Sequence, residues 1–243
     1  MFDNFENEKA QNIRKQGKDA RLHSASRKWI IDTAAYKYSY NFTWLGRPII
    51  QFPQDIVAVQ EVIWRTRPDV IVETGVARGG SLIFHASMLE LLGGDGRVIG
   101  VEIDLRDHNR AAIASHPMFR RISIIEGSSL ADSTAREVFR LVGGGKQVLV
   151  VLDSNHTHDH VLAELRLYSP LVRKGSYVIV YDTIIEDMPR GYFSDRPWDV
   201  GNNPRTAVRE FLRINDRVAV DEEIDNKLLI SSAPGGYLRC VRD

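Results

Sequence analysis

The chain has 243 residues and a single cysteine, and its 32 lysines and arginines equal its 32 aspartates and glutamates. That length suits one α/β domain with appendages, and the zero formal charge excludes a global field that would draw in nucleic acid or an anionic membrane. Cys240 alone forms no disulfide within the chain, and no Cys-x-x-Cys site for zinc or redox chemistry exists.

The opening MFDNFENEKAQNIRKQGKD is polar and mixed in charge, so no secretory signal is expected. Apolar runs such as Val148–Leu152 fall far below the roughly 20 residues of a membrane span, and the expected location is the cytoplasm. Residues 1–50 read as a helical extension with little apolar face, expected to pack on a second copy of the chain or to close over a ligand as a lid. The main domain is expected at 51–243. Residues 54–66 have helical spacing, with Ile56, Val57, Val59, Val62 and Ile63 expected to face a sheet. From residue 69, short β-branched runs alternate with amphipathic stretches, the pattern of βαβ units around a parallel sheet.

The runs are VIVE (70–73), RVIGVE (97–102), ISIIE (122–126), QVLVVLD (147–153) and YVIVYD (177–182). Each is apolar at both parities, so helices are expected on both sheet faces. Residues 81–92, 107–115, 132–142 and 158–172 read as those helices, and glycines at 93–94 and 143–145 end two of them. Residues 183–204 have no periodicity. A helix at 205–214 and two strands at 218–221 and 227–231, close enough to pair antiparallel, complete the chain. The expected fold is a doubly wound, Rossmann-like α/β sheet of five parallel strands plus an antiparallel pair, the arrangement of class I methyltransferases.

Glu73-Thr-Gly-Val-Ala-Arg-Gly-Gly-Ser81 joins the first strand to its helix, at the strand ends where open parallel sheets bind ligands. Glycine lets the backbone lie against a bound molecule, and the helix start offers free N–H groups. Glycines at 75, 79 and 80 do not give the G-x-G-x-x-G of a dinucleotide site. An acidic residue leading into G-x-x-x-G matches the first motif of S-adenosylmethionine (SAM) enzymes, with Glu73, Gly75, Arg78, Gly79 and Ser81 as candidate cofactor contacts. Glu102, ending the second strand, suits two ribose hydroxyls, with Asp104 as backup. Ser128 and Ser129 follow the third strand, where adenine is expected. Each feature alone is ordinary turn chemistry; three strand ends together favour SAM over a dinucleotide.

LDSNHTHDHVLAEL, residues 152–165, packs three histidines and two aspartates between Asp153 and His160. Asp153 and Asp182 end the fourth and fifth strands, and two carboxylates on one rim need a cation or a shared proton to offset their repulsion. Mg²⁺ or another divalent cation is the simplest resident, so both are metal candidates and Asp153 is also a cofactor contact. His156, still on the loop, is placed to point at a substrate. His158, Asp159 and His160 fall in the first helical turn, where they are expected to cap, pack or face solvent. The H-x-H-x-D-H run of dinuclear zinc hydrolases is one residue longer and belongs to β-rich folds, so that chemistry is excluded. In the aperiodic segment, Tyr192, Phe193, Trp198, Asn202 and Asn203 are candidates for stacking on and hydrogen-bonding a sugar, with Tyr38, Trp44 and Arg47 closing the other side.

TGVARGGS, VEIDLRDHNR, EGSS, LDSNHTHDH, YDTIIED, GNNP and APGGY, with WLGRPI near position 44, closely resemble the cephalosporin hydroxylase family of SAM-dependent proteins, which includes rhamnosyl O-methyltransferases. The resemblance runs from about Trp44 to Tyr237. It implies transfer of a methyl group from SAM to a hydroxyl of a small molecule or glycan. In related macrolide-sugar O-methyltransferases, Mg²⁺ is held by an aspartate after strand four and an acidic pair after strand five, with a histidine base three residues beyond the first aspartate. Asp153, Asp182 and His156 match those positions and form the implied catalytic set, while Tyr181 stands where the pair's glutamate would be. The rival expectations are a β-lactam-tailoring hydroxylase-type protein, a SAM-binding scaffold without turnover and, third, a nicotinamide dehydrogenase.

Overall fold

The computed structural model describes residues 2–243; Met1, the first position of the expected extension, lies outside the described residues. Two helices, α1 (Phe2–Gln16) and α2 (Ala20–Ala34), come first, the second capped by Asp19, which accepts from the N–H groups of Arg21 and Leu22. A small hairpin of β1 (Thr43–Trp44) and β2 (Arg47–Pro48) precedes α3 (Pro53–Thr66). The alternating part comprises β3 (Val70–Thr74), α4 (Gly80–Leu92), β4 (Arg97–Glu102), α5 (Asp107–Ala114), β5 (Ile122–Glu126), α6 (Asp132–Val142), β6 (Val148–Leu152), α7 (His158–Tyr168) and β7 (Tyr177–Val180). It closes with α8 (Pro204–Ile214), β8 (Val218–Val220), α9 (Glu222–Lys227) and β9 (Tyr237–Cys240).

The main sheet has the order β5-β4-β3-β6-β7-β9-β8. The first five strands are parallel, and β9 runs antiparallel to β7 and β8. Because side chains alternate along a strand, Ile71 packs with the residues of α3 and α4, while Val70 and Val72 pack with those of α6, α7 and α8. Both layers are apolar, and each fully buried aliphatic side chain contributes about 1.5–3 kcal/mol. The winding reverses between β3 and β6, leaving a crevice at their carboxyl ends.

Two expectations fail locally. Residues 227–231 are not a strand: Asp221 caps α9 by accepting from the N–H groups of Glu223 and Ile224, and the apolar residues that follow pack into clusters, Leu228 against the main core and Ile230 beside Phe52. The pairing strand is β9, which holds Arg239 outward between buried Leu238 and Cys240. Val57 does not face the sheet but is exposed, because it shares a helical face with Glu61 and Trp64. Among the described residues, no helix is long and apolar enough to cross a membrane.

Asp55 of α3 is fully buried. It accepts from Ser231 Oγ (2.6 Å), Ser232 N (2.8 Å), Ser232 Oγ (3.2 Å) and Tyr237 OH (2.9 Å), tying α3 to the turn before β9. Burial raises its carboxyl above the ordinary range, and the donors oppose that rise. Asp55→Ala leaves these donors unpaired in the core and should lower the unfolding free energy by about 3 kcal/mol. Urea denaturation measures this, and a loss below about 1 kcal/mol would contradict the role.

Candidate active site at the carboxyl ends of the central strands

Strand register decides where the site lies. Thr74 pairs with Leu152, and Leu152 with Val180, so Gly75, Asp153 and Tyr181-Asp182 emerge side by side. Asp153 N donates to Thr74 O (2.9 Å), and Tyr181 N to Leu152 O (3.0 Å). Gly75 has φ +88°, and a Cβ there would stand 1.9 Å from the Asp153 carbonyl oxygen, so the two turns meet only because this residue is glycine. A cleft of about 740 Å³ opens above them.

Of the donor-site candidates, Gly75, Arg78, Ser81, Glu102, Ser128 and Ser129 line this cleft. Glu73 does not: its buried carboxylate accepts from Ser81 Oγ and lies 3.1 Å from His85 Nδ1, fastening β3 to α4 behind the wall. Gly79, in a left-handed turn against Ile113, and exposed Asp104 are also absent from the lining. Glu102 is turned onto the glycine loop. One oxygen accepts from Val76 N (2.8 Å) and Ala77 N (3.0 Å), the other from Ile103 N (2.9 Å) and Asp104 N (3.3 Å). A carboxylate has about four acceptor positions, so ribose hydroxyls would have to exchange with these backbone donors.

Asp153, His156 and Asp182 converge, with one potential ligand atom from each within 4.8 Å of the others. His156 Nε2 lies 3.0 Å from Asp182 Oδ2, and its ring meets Trp198 edge-on at 4.7 Å. Burial, then the Asp182 charge, holds the Asp153 carboxyl well above the usual carboxylate range. Asp182 starts the 3-10 turn Thr183–Asp187 with φ 55°, and this left-handed turn brings its side chain to the rim. Tyr181 borders the same cleft, but its ring is almost wholly buried in the main core cluster.

On the acceptor side, Tyr192, Phe193 and Trp198 line the cleft, and Arg196 lies over the Trp198 ring at 5.5 Å. Asn202 and Asn203 are corrected: they build the loop instead of facing the cleft. Asn202 Oδ1 accepts from His158 N (3.0 Å), and buried Asn203 caps α8 in a capping box. Tyr38 lines the cleft, whereas Trp44 packs on Phe84 and donates to Ser87 Oγ (2.9 Å), and Arg47 binds the Arg78 carbonyl. Two further residues line the cleft: Tyr40, which carries no sequence signal, and His160, which the sequence places among residues that cap, pack or face solvent. Tyr40 comes from the N-terminal segment, its phenol raised by burial and by Asp182. His160 reaches the cleft from α7.

Residues 36–241 match the protein family described as Rhamnosyl O-methyltransferase/CmcI. The chain belongs to that family. Among the relatives of this chain, the rhamnosyl O-methyltransferase of Mycobacterium leprae is 32% identical over 149 residues, covering 60% of this chain and 62% of the relative. That of Mycobacterium tuberculosis (strain ATCC 25618 / H37Rv) is 29% identical over 204 residues, covering 81% and 77%. The matched stretch thus spans less than two thirds of the Mycobacterium leprae protein. A CmcI structure with Mg and SAM superposes with TM-score 0.59 at 20% identity, covering 83% of this chain and 77% of that one. The O-methyltransferase TomG from Streptomyces achromogenes, in complex with SAM, gives 0.55 at 16% identity, covering 93% and 92%. These likenesses establish the class I methyltransferase fold.

Gly75→Ala forces the two turns apart. It should weaken binding of S-adenosylhomocysteine at least about tenfold by calorimetry, and unchanged affinity would show that the contact between the turns does not shape the cleft.

Proposed function

We propose that the protein is a SAM-dependent O-methyltransferase, assisted by a divalent cation, that acts on a hydroxyl of a sugar, a glycosylated metabolite or a polysaccharide. The observation that carries this reading is the convergence of Asp153, His156 and Asp182 in one cleft with the glycine turn. The rhamnosyl O-methyltransferase relatives and the ligands named for the CmcI and TomG structures support it.

The donor set fits the implied ion, since two carboxylates suit a hard cation such as Mg²⁺. Asp153 and Asp182 would hold it. Bound there, a cation supplies positive charge that lowers the cost of forming an alkoxide, on the order of 10 kcal/mol for a free sugar hydroxyl at neutral pH. SAM supplies a methyl group on a sulfonium, already a good leaving group. The chain's own task is alignment and proton removal. His156 accepts the hydroxyl proton, with Asp182 at 3.0 Å orienting the ring and stabilising the imidazolium that results. Trp198 supports the imidazole and offers a face for a sugar ring, and Tyr192 and Phe193 extend that apolar wall. The N-terminal segment with Tyr38 and Tyr40 closes the opposite side, the lid role proposed for residues 1–50.

The 4.8 Å clustering also favours a second role for His156, as a third ligand in the place that Tyr181 leaves without an acid. His156→Ala separates the two. A base assignment predicts a fall in kcat of about 10²–10⁴ with Mg²⁺ affinity retained, and a ligand assignment predicts that Mg²⁺ affinity falls as well. The reaction itself is tested by mass spectrometry of glycans incubated with SAM. One added methyl group, lost on chelation, is the expected result, and no mass gain with any hydroxylated acceptor would refute the proposal.

A further inference from the structure

The histidine run leaves one ring unexplained. His156 belongs to the acid cluster, and His158 docks α7 on α8, its Nδ1 2.8 Å from Thr206 Oγ1 and its Nε2 3.2 Å from Glu210. His160 does neither. It lines the cleft, and its Nε2 gathers three polar groups: Ser129 Oγ at 3.1 Å, Ser154 Oγ at 3.3 Å and Glu164 Oε1 at 3.4 Å. Ser129 and Ser154 stand on two different walls, after β5 and after β6, so the imidazole sits at the corner where they meet.

Glu164 is the unusual member. It is fully buried one helical turn beyond His160; Oε1 also accepts from Ser154 Oγ (2.8 Å), and Oε2 has no partner among the described residues. A buried carboxylate this poorly provided for draws an N–H toward itself. His160 Nε2 serves it through Ser154, whose one hydroxyl hydrogen goes to Glu164 Oε1, so that the Ser154 oxygen accepts from the imidazole. A neutral imidazole that donates from Nε2 into this Ser154–Glu164 relay keeps a lone pair on Nδ1. That nitrogen has no partner among the described residues and is not among the enclosed polar atoms.

We infer that His160, oriented by Glu164, is a specificity-determining residue at the nucleoside end of the cleft, where it accepts a hydrogen bond from the exocyclic amine of a 6-aminopurine. The inference rests on the donor being SAM, but on no property of the acceptor. Ser128 and Ser129 line the same end of the cleft. A purine with a keto group at that edge would set oxygen against the Nδ1 lone pair and lose the bond. Sites built to receive one N–H reject analogues that lack it.

Calorimetry with two ligands tests this: S-adenosyl-L-homocysteine and its deaminated analogue S-inosyl-L-homocysteine, each titrated into the intact protein. The wild type should prefer the adenosyl compound by about tenfold or more. His160→Phe, which keeps a ring but no acceptor, and His160→Ala should bring the two affinities together, mainly by weakening the adenosyl compound. Circular dichroism confirms that the variants are folded. Equal loss of both ligands with the preference intact would reduce His160 to a tie between the two walls and overturn the inference. If the wild type binds the adenosyl compound without preference, the inference fails while the donor reading stands; if it binds neither, the donor reading fails with it.

Discussion

Three parallel strands held in register determine the rest of this structure. Backbone pairing of β3 with β6 and of β6 with β7 makes Gly75, Asp153 and Tyr181-Asp182 the first residues past the sheet edge. No side chain chooses that alignment; it follows from ladder hydrogen bonds and from the burial of every residue of β3, β6 and β7. A one-residue slip would exchange the two core layers and move the acids to another position. The cleft is therefore as secure as the core beneath it.

Within that frame the polar groups divide into those spent on the scaffold and those left facing the cleft. Glu73, Asp55 and Asn203 are buried and engaged by protein donors or acceptors, fixing β3 to α4, α3 to the turn before β9, and the acceptor loop to α8. Asp153 instead ionises at a cost raised by burial and then by the Asp182 charge beside it at the rim, with an imidazole alongside. Such an arrangement is stable when positive charge is supplied there. Glu102 lies between these classes, a rim carboxylate occupied by the loop it supports.

Most of the fold was legible because each parallel strand is a short apolar run at both parities, a pattern few other structures produce. The second antiparallel strand is hidden in the sequence because Leu228, Leu229 and Ile230 form the stronger apolar run, whereas β9 contains an outward arginine. Run strength reports burial, and burial here came from packing beside α3 and the acceptor loop without any ladder. The acid and histidine positions could be read because they sit at fixed offsets from strand ends. Asn202 and Asn203 misled for the opposite reason: polar loop residues serve caps as readily as ligands, and Asn203-Pro204 followed by Thr206 is a helix-start pattern. Tyr40 could not be found, since its place depends on a segment far away in sequence folding back across the sheet.

The backbone at residue 182 carries one more implication. With φ 55° and ψ 21° it occupies a conformation that β-branched and bulky side chains avoid and that aspartate, asparagine and glycine accept most readily. The turn itself thus filters which residues can stand there, and of the two natural carboxylic acids it favours the shorter. Any drift in this lineage toward a different inventory of oxygen donors must first remodel the corner after β7, so backbone shape guards the chemistry independently of the side chains around it.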